Sequence, residues 1–110
     1  MIANGRVSQV GFDIPAKIGD HINDIHTPAL IIDLDALEQN VSRMADCVKA
    51  MGVRLRAHAK THKSADIALY QIKHVGACGV CCQKVSEAEA LVNAGVKDVL
   101  ISNQITDLKR

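Results

Sequence analysis

Between His58 and Lys63 the chain places two histidines and two lysines within six residues: His58, Lys60, His62 and Lys63. Arg54 and Arg56 lie just upstream. A lysine amine that has lost its proton is a nucleophile towards a carbonyl and forms a Schiff base with it. Neighbouring cations, here Arg56 and Lys63 with His62, disfavour the charged amine and are the expected means of freeing it. Residue types alone leave a second reading open, a solvated basic loop in which Lys63 is no more than a helix-entry residue. His58 and His62 stand four apart, an interval that chelates metal on a helix. This segment enters as a strand, where that interval does not converge.

The elements that must position these side chains follow from periodicity. Residues 53–58 alternate Arg54, Arg56 and His58 with Leu55 and Ala57, the two-residue period of a strand that runs straight into Lys60. Ser64 is a fair N-cap for a helix carrying Ile67, Leu69, Tyr70 and Ile72 to about His74, ended by Gly76. Residues 77–82 read as a buried strand. Ser86 with Glu89 reads as a capping box opening a helix through Ala88, Leu91 and Val92 to Ala94-Gly95. Residues 98–102 are a third strand, and a last helix is expected to begin near Thr106-Asp107. Upstream, residues 29–33 are a short apolar run expected to be a strand. Asp35 with Glu38 is a capping box for a helix over 36–51 with Leu37, Val41, Met44, Val48 and Met51 on one face, stopped by Gly52. Residues 1–26 show no sustained period and read as an N-terminal arm, with Phe12, Ile14 and Ile18 as docking points.

From residue 53 the order is strand, helix, strand, helix, strand, start of helix. The expected fold class is α/β with parallel strands and right-handed crossovers, in a doubly wound sheet or a barrel. An eight-fold barrel needs about 250 residues. The chain therefore reads as an N-terminal arm (1–26) followed by the first three strand-helix units of a truncated barrel (27–110). Lys60 follows the C-terminal end of a strand, where such folds place catalytic groups. Arg54, Arg56, His58 and Lys60 share parity, and aliphatic Leu55 suits the helix-covered side, so the basic set is expected to point inward. Buried cations need carboxylates or an anionic ligand, and the chain offers few candidates. Gln83, at the end of the second strand, either lines the same mouth as Lys60 or is an ordinary turn residue.

Several classes are excluded. The chain has 110 residues, 23% of them charged, and a net charge of +1, which gives no electrostatic pull towards nucleic acid. The basic stretch lacks interleaved aromatics for base stacking, and no Gly-x-Gly-x-x-Gly or P-loop cradle is present. No run of about eighteen apolar residues marks a membrane span, and a basic-then-apolar leader is missing, so the cytoplasm is the expected compartment. Cys47, Cys78, Cys81 and Cys82 are expected to be reduced. Cys78 and Cys81 along one strand would stand about 10 Å apart, too far for a disulfide, and read as small buried residues.

Three stretches carry a resemblance: Thr27-Pro-Ala-Leu-Ile-Ile-Asp-Leu-Asp-Ala-Leu-Glu-Gln-Asn40, Arg56-Ala-His-Ala-Lys-Thr-His-Lys63 and Gly79-Val-Cys-Cys-Gln-Lys-Val-Ser-Glu-Ala-Glu89. Over residues 27 to about 103 the sequence resembles the N-terminal part of the D-threonine aldolase and D-serine dehydratase family. These are distant relatives of alanine racemase, and the likeness is strongest to the 3-hydroxy-D-aspartate aldolase branch. The resemblance implies an enzyme dependent on pyridoxal 5′-phosphate (PLP), built from a barrel and a β-rich domain and usually a homodimer. Lys60 matches the lysine that holds PLP as a Schiff base, with His58, Arg56 and Gln83 as further cofactor-binding residues. Residues 29–33 would belong to the β-rich domain. A D-3-hydroxy amino acid would be cleaved between Cα and Cβ to glycine and an aldehyde, glyoxylate in the case of 3-hydroxy-D-aspartate. A divalent metal would hold the substrate hydroxyl through ligands outside this chain, and these 110 residues alone would be inactive. Ala57 stands where the family often has proline. The alternatives are D-serine-type dehydration and a non-catalytic PLP-binding protein that manages cofactor supply.

Overall fold

A computed structural model of the chain describes residues 9–106. The chain divides after Asp33 into two compact units. In the first, residues 9–14 form a tight turn in which Gly11 donates to the Ile14 carbonyl at 2.8 Å and takes a positive φ of 82°. A 3-10 helix follows at Ile22–Asp24. Phe12 and Ile18 are exposed and Ile14 is half-buried. Residues 29–33 are not a strand, and Leu30 is 99% exposed. Apolar composition favours a strand only where another strand can take up its backbone groups.

Among the described residues, the α-helices and the sheet lie in the second unit. Helix α1 (Leu34–Met51) begins earlier than its sequence pattern suggested, so Asp33 precedes it and Asp35 sits in its first turn, where a carboxylate meets the positive end of the helix dipole. Gly52, at φ 64°, follows its last turn. Helix α1 packs on α2 (Ala65–Val75), burying Val41 and leaving Met44 and Met51 exposed. Helix α2 is bounded as its residues dictate. The Ser64 hydroxyl accepts from the Ile67 N–H at 3.3 Å, and Gly76 closes the helix in the left-handed region.

Three short strands make the sheet: β1 (Ala57–His58), β2 (Val80–Cys82) and β3 (Val99–Ile101). They are parallel, in the order β1-β2-β3, with Ala57 opposite Val80 opposite Val99 and His58 opposite Cys81 opposite Leu100. All three are shorter than the stretches expected from the sequence, 53–58, 77–82 and 98–102. One face carries Val80, Cys82, Val99 and Ile101 into a core with Ala59, Ala68, Leu91 and Val96 under α2 and α3 (Val85–Asn93). On the other face Leu100 remains 51% exposed. Strand order without reversal and a single helix-covered face are the geometry of a barrel wall; a doubly wound sheet reverses direction and covers both faces. The helix expected from Thr106-Asp107 lies outside the described residues beyond Thr106. Among the described residues no helix is long and apolar enough to cross a membrane.

The open face has one tight point. A Cβ built on Gly79 would come within 2.5 Å of both Arg56 Nη1 and the Asp98 carbonyl oxygen. Gly79→Ala therefore forces backbone as well as side chain to move. It is expected to lower stability by about 1–3 kcal/mol, the usual cost of overpacking, in a denaturant titration.

Candidate functional site

The segment that carries Lys60 leaves the sheet in a defined way. The Ala59 N–H donates to the Cys81 carbonyl at 2.7 Å, one step beyond the last paired residue of β1. The Ala59 carbonyl in turn accepts from the Lys63 N–H at 2.8 Å. Residues 59–63 are thus one closed turn, anchored by a buried alanine, with Lys60 and Thr61 exposed. Two imidazoles brace it. His58 Nδ1 accepts from the Lys60 N–H at 3.4 Å, and His62 Nδ1 accepts from the Ser64 N–H at 3.1 Å. Each acceptor role places the proton of a neutral ring on Nε2. The Nε2 of His62 is buried with no partner among the described residues.

The cations near Lys60 have different partners. Arg56 forms a two-pronged pair with Asp98, at 2.7 and 3.0 Å, in the gap above Gly79. Arg56 and Asp98 each stand one residue before a strand, at the opposite end of the sheet from Lys60. Lys63 Nζ meets Glu87 Oε1 at 3.4 Å. The carboxylates that face these cations are therefore Asp98 and Glu87. Both were missed because each lies far from its partner along the chain, and nothing local announces such a pairing. Lys60 Nζ has no ion pair or hydrogen bond among the described residues.

Gln83 is exposed just past β2, and its N–H donates to Glu87 Oε2 at 3.0 Å. The same oxygen accepts from the Lys84 N–H at 3.3 Å. The cap of α3 is therefore made by Lys84 and Glu87, not by Ser86 and Glu89, because the helix starts at Val85. A lysine side chain has no acceptor, so the Glu87 half of the box does the capping. The structure brings His58, Lys60 and Gln83 to the C-terminal edge of the sheet and holds Arg56 at the other edge. Cys81 and Cys82 are buried in β2, and burial pushes the Cys82 thiol up, which suits a packing residue better than a reactive one.

Two carboxyls are held below their ordinary range. Asp98 is lowered by its hydrogen bond from Arg56, and Glu87 by the backbone N–H of Gln83. Both effects favour the charged form.

Residues 32–109 match the family model described as alanine racemase, N-terminal domain. The chain is 52% identical over 90% of its length to a 3-hydroxy-D-aspartate aldolase of Paracoccus denitrificans, covering 26% of that protein. It superposes on a D-threonine aldolase from Filomicrobium marinum with a TM-score of 0.81 at 56% identity, covering 84% of this chain and 25% of that one. A variant D-threo-3-hydroxyaspartate dehydratase in its metal-free form superposes with a TM-score of 0.70 at 40% identity, over 74% of this chain and 21% of that one. The chain thus spans about a quarter of the length of the curated relatives it matches.

The pairs give stability a definite pH dependence. A carboxyl whose folded pKa is depressed contributes fully above its unfolded value and loses that contribution as pH falls through the folded value. The ordinary values are 3.8 for Asp98 and 4.5 for Glu87, so the loss is expected below about these pH values. Asp98→Asn removes its share and is expected to flatten the acid slope, followed as the denaturation midpoint from about pH 6 to about pH 3.

Proposed function

The chain belongs to the alanine racemase N-terminal domain family, and from that premise we propose that it supplies the lysine-bearing wall of a PLP-dependent lyase acting on D-3-hydroxy amino acids. The reading is supported by its similarity to aldolases and a dehydratase acting on such compounds. The observation that carries it is the state of Lys60. Of the three strong cations between Arg56 and Lys63, two are matched by carboxylates and only Lys60 presents an unmatched amine among the described residues. That amine stands at the C-terminal edge of a parallel sheet, on a closed turn, where a carbonyl cofactor can reach it.

These features fit PLP, and Lys60 would hold it covalently through Nζ. When bound, the cofactor supplies an electron sink for the pair left at the substrate Cα. The chain's own residues fix the amine. The Ala59 hydrogen bonds set its height above the sheet, and the His58 ring accepts from its backbone N–H. With Nδ1 so engaged, His58 offers an Nε2–H donor, and Gln83 offers an amide at the same edge. Arg56, tied to Asp98, acts in this reading by holding the inward face together and by adding positive charge below the site. The substrate of first choice is 3-hydroxy-D-aspartate, cleaved to glycine and glyoxylate. A divalent metal is proposed to hold the substrate hydroxyl through ligands outside these residues, since a dehydratase relative is described in a metal-free form. The working protein is proposed to be a cytoplasmic homodimer, and these 110 residues alone to be inactive.

That same relative favours a second reading, dehydration, in which the 3-hydroxyl leaves and the Cα–Cβ bond stays intact. Products separate the two. The natural protein, supplied with PLP and a divalent metal, is expected to convert 3-hydroxy-D-aspartate to glycine and glyoxylate, and Lys60→Ala to abolish turnover. Oxaloacetate and ammonia would instead establish the dehydratase. Turnover unchanged by Lys60→Ala would refute both.

A further inference from the structure

The Glu87 side chain touches both loops at the Lys60 edge of the sheet. Its Oε2 accepts the backbone N–H groups of Gln83 and Lys84, in the loop after β2, at 3.0 and 3.3 Å. Its Oε1 meets Lys63 Nζ, at the end of the Lys60 turn, at 3.4 Å. The Glu87 side chain is 16% exposed, so its geometry is set by packing as well as by these partners. Lys63 has φ at +52°, a region that a side chain with Cβ enters only where surrounding contacts hold it there. Two contacts do so: its N–H closes the turn on Ala59, and its ammonium reaches Glu87. Below the pair lies a recess of about 250 Å³, lined by Ala59, Ala65, Cys82, Ala90 and Leu91 among others. The starts of α2 and α3 are thus incompletely packed against each other, and the ion pair bridges the gap.

We propose that Glu87 is a positioning residue for Lys60: its carboxylate couples the turn carrying that lysine to the loop carrying Gln83, through Lys63. The proposal rests on Lys60 being the cofactor-holding lysine. It assigns Lys63 a part as well. The second lysine of the motif is a strut, with its charge spent on Glu87 and its left-handed backbone ending the turn. A helix cap alone would engage Gln83 and Lys84 and have no need of Lys63. The third contact is what links the two sides of the site.

The test separates coupling from capping in the full-length protein loaded with PLP. Lys63→Asn keeps a residue type that tolerates positive φ while deleting the ammonium, at a position 66% exposed, so folding survives. It is expected to speed PLP release by about two- to fivefold, the scale of a partly exposed ion pair. Lys63→Arg should restore the wild-type rate. Glu87→Gln should speed release at least as much as Lys63→Asn, and the double variant should be no faster than Glu87→Gln alone, because both delete one link. If a normal Lys60-dependent cofactor signal forms but Lys63→Asn leaves release unchanged, or the two effects multiply, Glu87 only caps α3 and the proposal is overturned by itself. If the wild-type protein forms no such signal, the cofactor reading fails and the proposal with it.

Discussion

Everything at the Lys60 edge of the sheet depends on the two backbone hydrogen bonds of Ala59. Its N–H extends the parallel ladder one step past β1, and its carbonyl is used again four residues on to close the turn. A residue in that position must be small, because it is 2% exposed within the core formed under α2 and α3. It must also end the strand, because the following residues coil into a turn that delivers Ser64 as the cap of α2. Lys60 is therefore held between a ladder bond on one side and a helix cap on the other. That is more constraint than a surface loop ordinarily provides.

Charge is distributed around this anchor in two layers. At the N-terminal edge, Arg56 and Asp98 reach across β2 through the space that Gly79 leaves open, joining the approaches to β1 and β3. At the C-terminal edge, Glu87 takes up Lys63 together with two backbone donors. Each pair is partly exposed, so each contributes geometry more than stability. Together they leave Lys60, among the described residues from Arg56 to Lys63, as the cation without a carboxylate. Of the cations expected to act on Lys60, Arg56 and Lys63 are each matched by a carboxylate, while the His62 ring accepts from the Ser64 N–H.

The elements written in local chemistry were legible in advance. Ser64 and Gly76 bound α2 as their types dictate, the parallel strand-helix alternation is present, and the alanine racemase-like relationship matches the residues that first suggested it. What stayed illegible depends on partners. Residues 29–33 have the composition of a strand, but composition cannot say whether another strand is beside them. Ser86 and Glu89 satisfy a capping pattern, yet the helix begins at Val85, which hands the cap to Glu87. The partner of Arg56 is 42 residues away, and only the register of three strands reveals it.

Lys60, not its neighbour Lys63, is the amine proposed to hold a carbonyl cofactor. The most direct measurement is to incubate the full-length protein with PLP, reduce it with borohydride, digest it, and locate the added mass by peptide sequencing in a mass spectrometer. The added mass is expected on Lys60, with Lys63 unmodified. Modification on Lys63, or spread without preference over exposed lysines, would contradict it.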